Sequence, residues 1–124
     1  MHGILLVDKP RGWTSHDVVA WVRSRLGLRS VGHGGTLDPA AEGLLLILVG
    51  VATRLAQYAI DADKSYIAHI VLGVSTTTDD LEGEPRESQP VVSPPSRAAI
   101  AEVLERFRGT IQQVPPAYSA IKVA

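Results

Sequence analysis

The sequence predicts a domain of the α/β or α+β class, and three features carry that reading. Apolar runs at residues 4–7 and 44–49 have the length and bounding turn residues of buried strands. Between them, Val18, Val22 and Leu26 recur at helical spacing. After them, a short amphipathic segment is followed by residues 66–72, which read as a further strand. The resulting order is strand, helix, strand, helix, strand.

In chain order, the first strand ends in Asp8-Lys9-Pro10-Arg11-Gly12, a turn. Lys9 has two readings there, a solvated turn lysine and a phosphate contact. Thr14-Ser15-His16-Asp17 has the form of a capping box with Asp in place of Glu, so a helix is predicted from Thr14 with Gly27 at its C-terminal cap. Arg23, Arg25 and Arg29 stand near the end of that helix, where they complement its dipole or reach phosphate. Residues 31–43 contain Gly32, Gly34, Gly35, Pro39 and Gly43, too many breakers for a regular element. The run 44–49 lacks alternation, as expected of a strand covered on both faces. Gly50 breaks it, and Val51, Leu55, Tyr58 and Ala59 predict a short helix ending near Asp61.

The strand read at 66–72 places Tyr66, Ala68, Ile70 and Leu72 on one face and Ile67, His69 and Val71 on the other, with His69 structural. Residues 73–83 form a polar loop between two glycines. Residues 84–95, rich in Pro, Ser and charge, predict an exposed connection. Ser96 caps a last helix with the apolar stripe Ile100, Val103, Leu104 and Phe107, ended by Gly109. A strand is expected over residues 118–123.

Composition bounds the function. At 124 residues the chain is one domain or part of one, and it has no cysteine, which excludes disulfides and thiolate metal sites. No apolar run reaches the ~20 residues needed to span a bilayer, and the N-terminus shows no signal peptide, so a cytoplasmic location is expected. The net charge is −1. Through Ala40 there are five basic and three acidic residues, and from Asp79 to Glu105 seven acidic and two basic, a distribution that allows a local basic face.

The chemistry concentrates in the loop. Asp38 precedes Pro39, which pushes its backbone out of the helical region and fixes the direction of its carboxylate. His33 is the other titratable group, and Gly34 and Gly35 let another backbone or a planar ligand approach closely. As a metal site the pair falls short of the ligand set usual for catalytic zinc, and none is expected.

Gly3-Ile-Leu-Leu-Val-Asp-Lys-Pro10, Gly32-His-Gly-Gly-Thr-Leu-Asp-Pro39, Asp63-Lys-Ser-Tyr66 and Pro116-Ala-Tyr-Ser-Ala-Ile-Lys122 occur in this order and spacing. Together they resemble the TruB family of tRNA pseudouridine synthases. The resemblance implies an α+β fold with a mixed, largely antiparallel sheet flanked by helices and the active site in a cleft. Residues 1–124 would form the N-terminal part of the catalytic domain, its remainder and a C-terminal RNA-binding domain being absent.

The implied reaction is isomerisation of uridine 55 in the T-loop of tRNA, without cofactor or metal. Uracil leaves C1′ of the ribose, turns and reattaches through C5. A carboxylate can serve as nucleophile or base, and the resemblance assigns that part to Asp38. The target base must leave its stack. His33 would fill the gap, Tyr66 would stack on the flipped uracil, and Lys64 would contact phosphate. The family usually has Thr where this chain has Gly34, which predicts a looser loop. Thr76, Thr78 and Asp80 match a further family motif, although many members carry Asp at the position of Thr77. The arginine that the family pairs with its aspartate lies in a later segment. The alternative is therefore a piece that binds or remodels tRNA, with no membrane partner, and does no chemistry.

Overall fold

The computed structural model describes residues 1–114; the expected strand at 118–123 and the Pro116–Lys122 motif lie outside the described residues. The chain divides into two units, Met1–Ile67 and Ala68–Ala124.

In the first unit, strand β1 (Gly3–Lys9) is followed by helix α1 (Ser15–Leu26) and strands β2 (Val31–His33) and β3 (Gly43–Val49). A 3-10 helix, Gly50–Leu55, runs directly into helix α2 (Ala56–Asp61). The sheet order is β1-β3-β2 and both pairings are antiparallel, with Leu5 opposite Ile47 and His33 opposite Ile47 on the other side. The α+β expectation holds, and every strand pairing among the described residues is antiparallel.

Helix α1 starts as predicted. Thr14 Oγ1 accepts from the Asp17 N–H at 3.0 Å, while the Asp17 carboxylate accepts from Thr14 N–H at 2.8 Å and from its hydroxyl at 2.7 Å. These bonds satisfy the donors a helix start leaves open. Gly27 ends the helix at φ 64°, a left-handed cap that glycine adopts without penalty. Val18, Val19 and Val22 of α1 pack on Val31, Leu45, Ile47 and Val49. The last three are alternate residues of β3 and so share one face of the sheet. Burying each such side chain stabilises the fold by ~1.5–3 kcal/mol.

The opposite face of β3 corrects the expectation of a strand covered on both sides. Leu48 is buried and Leu46 half-buried, but Leu44 is exposed, as are Ile4 and Leu6 of β1. The buried residue of the segment after β3 is Ala52, whereas Val51, Leu55 and Tyr58 of the predicted stripe are exposed.

In the second unit, β4 (Val74–Thr76) and β5 (Pro85–Ser88) form an antiparallel hairpin, and helix α3 (Arg97–Glu105) follows with Ser96 as its cap. Two expectations fail. The strand expected over residues 66–72 does not form. A strand needs a neighbour for its N–H and C=O groups, no described strand pairs with this segment, and its side chains are exposed. The predicted connection 84–95 instead contributes β5, because Gly83 and the turn before it fold residues 85–88 back onto β4. The stripe of α3 forms, yet Ile100, Val103, Leu104 and Phe107 all remain exposed.

Candidate active site

The glycine-rich loop leaves β2 at His33 and returns at Gly43. Its first step is tightly packed. Gly34 is buried and its N–H donates to Leu46 O at 2.8 Å. A Cβ placed on Gly34 would lie 2.7 Å from the Ala59 Cβ and 3.2 Å from that of Leu46. The expectation of a looser loop is therefore corrected at this residue: glycine is what lets the backbone approach α2 and β3.

The next part of the loop is held from the other side. Ser15, the first residue of α1, is buried. Its Oγ accepts from Leu37 N–H at 2.9 Å and lies 3.2 Å from Leu37 O, to which the hydroxyl donates. Gly12 N–H donates to Pro39 O at 2.7 Å. Asp38 lies between these two anchored residues, and its own carbonyl accepts from Ala41 N–H at 3.0 Å. The Asp38 side chain is exposed.

Lys9 steadies the turn that supplies Gly12. It is fully buried, and its ammonium donates to Trp13 O at 2.6 Å and Pro10 O at 3.2 Å. Neither sequence reading of Lys9 survives, since a buried lysine bound to turn carbonyls is neither solvated nor displayed to phosphate. Arg23 is also engaged, donating to Val31 O at 2.7 Å, and Arg25 stacks over the Trp21 ring at 5.5 Å.

His33 ends β2 half-buried, its ring edge-on to that of His16 with centroids 5.4 Å apart. Its Nδ1 is buried and has no hydrogen-bond partner among the described residues. Tyr66 and Lys64 line a cavity of about 330 Å³ together with loop residues 34–37 and residues 44–46 of β3. The Lys64 ammonium donates to the carbonyls of Ile60, Ala62 and Ala59 at 2.6, 2.7 and 3.3 Å, so it closes the C-terminal end of α2. The structure thus brings Tyr66 and Lys64 to the glycine loop. Asp38 does not line their cavity, although its neighbour Leu37 does.

Thr76, Thr78 and Asp80 serve their own hairpin. Thr76 Oγ1 donates to Asp80 O at 2.7 Å, while the Asp80 carboxylate accepts from Thr78 Oγ1 at 2.6 Å and Glu82 N–H at 2.8 Å. Thr77 Oγ1 accepts from Glu84 N–H at 3.2 Å. Sequence reading missed Ser15 and Gly12 as supports of the loop. Ser15 was legible only as part of a cap, and nothing local signals a bond to a residue 22 positions away.

The family model for the N-terminal domain of TruB family pseudouridylate synthases matches residues 23–124. The chain is 54% identical over 123 residues to tRNA pseudouridine synthase B of Trichormus variabilis, covering 99% of this chain and 41% of that protein. Its counterpart in Leifsonia xyli is 51% identical over 123 residues, with 98% and 41% covered. A crystal structure of a Cbf5-Nop10-Gar1 complex superposes with a TM-score of 0.63 at 31% identity, over 97% of this chain and 31% of the matched chain. The chain spans about two fifths of the length of these curated relatives. By the family model and by these identities, the chain belongs to the TruB family of pseudouridylate synthases and corresponds to its N-terminal part.

Proposed function

We propose that residues 1–124 are the N-terminal part of the catalytic domain of a cytoplasmic synthase that converts uridine 55 in the T-loop of tRNA to pseudouridine. The observation that carries this reading is the loop itself. Its Leu-Asp-Pro bend is pinned at Leu37 and Pro39 while the Asp38 carboxylate is exposed and makes no hydrogen bond among the described residues. A carboxylate held by its backbone and unspent on neighbours can be presented to a ribose C1′ or to a base, and needs no metal to act.

The other residues take consistent parts. Tyr66 presents an exposed ring at the mouth of a cavity floored by the glycine loop, the surface on which a flipped uracil would stack. Among the described residues His33 has no bond at Nδ1 to give up, so its ring can leave the contact with His16 and fill the gap in the RNA stack. Lys64 places a positive charge beside Tyr66, and a phosphate contact would trade one of its three carbonyl bonds. The names of the relatives, tRNA pseudouridine synthase B, support tRNA as the partner.

The test is tritium release from C5-labelled uridine in tRNA, using a complete synthase carrying this segment. Asp38→Asn keeps the shape and removes the charge, and turnover is expected to vanish. Turnover near that of the unsubstituted enzyme would defeat the reading.

One observation favours a second reading for the segment alone. Asp38 stands outside the cavity that holds Tyr66 and Lys64, so the 124-residue chain would bind tRNA without converting it. Product formed by the isolated chain would exclude this.

A further inference from the structure

Asp38 makes no side-chain hydrogen bond among the described residues, so its direction is set by its backbone alone. That backbone is held at two points. On the N-terminal side, Ser15 Oγ engages both polar groups of Leu37, accepting from its N–H at 2.9 Å and donating to its carbonyl at 3.2 Å. On the C-terminal side, Gly12 N–H donates to Pro39 O at 2.7 Å. Gly12 adopts φ 84°, where other residues are strained, so this contact depends on the turn keeping its glycine.

The two supports differ in rigidity. Gly12 belongs to an exposed turn. Ser15 is 2% exposed and begins a helix whose Val18, Val19 and Val22 are core residues. It therefore transmits the position of the core to the loop. A hydroxyl that bonds both the donor and the acceptor of one peptide residue fixes its rotation as well as its distance, and rotation of Leu37 swings the next residue. Ser15 does not serve as the cap, since Thr14 fills that part.

We infer that Ser15 is a positioning residue for Asp38, aligning the carboxylate through Leu37 without touching the substrate. The inference rests on the reading of Asp38 as the reacting carboxylate. Its signature is a loss in kcat with little change in KM, because substrate is still bound and only the reacting group is misaimed.

The experiment compares four variants of a complete synthase carrying this segment: Ser15→Ala, Ser15→Cys, Val18→Ala and Asp38→Asn. Single-turnover and steady-state rates on tRNA are measured at a temperature where melting curves show each to be folded. Ser15→Ala is expected to lose about tenfold or more in kcat, with KM for tRNA within about twofold. Ser15→Cys keeps the volume but weakens both bonds, so its kcat should fall between Ala and wild type. Val18→Ala, which lightens the same helix without touching the loop, should lower Tm and keep kcat. Wild-type kcat in Ser15→Ala or Ser15→Cys, or an equal kcat loss in Val18→Ala, overturns the inference. Should Asp38→Asn be fully active, the catalytic reading itself fails. Inactive Asp38→Asn beside fully active Ser15→Ala defeats only the positioning role.

Discussion

The two units of this chain contain similar local patterns and use them differently. In Met1–Ile67, the apolar stripe of α1 meets the apolar face of β3, and Ile47 and Val49 are 0% and 2% exposed. In the second unit, the stripe of α3 is at least as regular, yet Phe107 is 65% exposed and no described residue is buried. The difference is one of partners. An amphipathic face predicts that burial would be favourable; only a second face of matching shape realises it.

The largest expected effect tests that contrast directly. Ile47→Ala in the isolated chain should cost about 2–5 kcal/mol, because it empties a site enclosed by α1 and two strands. Phe107→Ala should change stability by no more than ~0.5 kcal/mol, as expected away from buried features. Urea denaturation followed by circular dichroism measures both. Comparable losses would mean that the second unit has a core of its own and would erase the distinction.

A smaller effect is expected from crowding than from a cavity. Gly34→Thr introduces a Cβ against Ala59 at a distance no real Cβ tolerates. The loop or α2 must shift, at a cost of ~1–3 kcal/mol. Adding Ala59→Gly should recover part of that loss in a double-mutant cycle, because the two sites share one contact. Strict additivity would show that Gly34 is not held by Ala59.

These examples show what was legible beforehand. The capping box Thr14–Asp17, the glycine stop at Gly27 and the strands at β1 and β3 are local or periodic, and each appeared where predicted. The strand expected at 66–72 depended on a neighbour that an apolar run alone cannot supply, and β5 was hidden by its proline and charges. The site divides in the same way. His33 and Asp38 stood out by residue type and context, Lys64 and Tyr66 only through the resemblance to the family, and the structure sets Lys64 and Tyr66 around the glycine loop. The buried Lys9 and the bonds of Ser15 to Leu37 are tertiary facts, invisible to any window of sequence.

Hydrogen exchange sharpens the same point at the level of single amides. Ladder amides of β3, central in its sheet, should exchange only through global opening of the first unit. Those of residues 63–71, exposed and outside any ladder, should exchange nearly as fast as an unfolded chain. Protection there at the level of β3 would reveal a partner for the segment.

The smallest expected effect concerns two aspartates, one in each unit. The Thr14 hydroxyl, and then its N–H, hold the Asp17 carboxyl below its ordinary value of 3.8. The Thr78 hydroxyl, and then the Glu82 N–H, do the same for Asp80. Each group therefore favours folding when ionised. The contribution is complete above the ordinary aspartate value and is lost as pH falls through the lowered one. Both side chains are exposed, so solvent screens the effect.

The consequences should differ even where the shifts are alike. Protonating Asp17 frays the start of a helix whose next turns lie in the core, so acid below about pH 4 should lower the Tm of the first unit. Protonating Asp80 loosens a loop with no buried side chain beneath it. Carboxyl NMR titration should find both midpoints below 3.8, with Thr14→Ala and Thr78→Ala each raising only its own partner. A melting curve that responded to Thr78→Ala as strongly as to Thr14→Ala would show that the hairpin, too, is bound into a cooperative core.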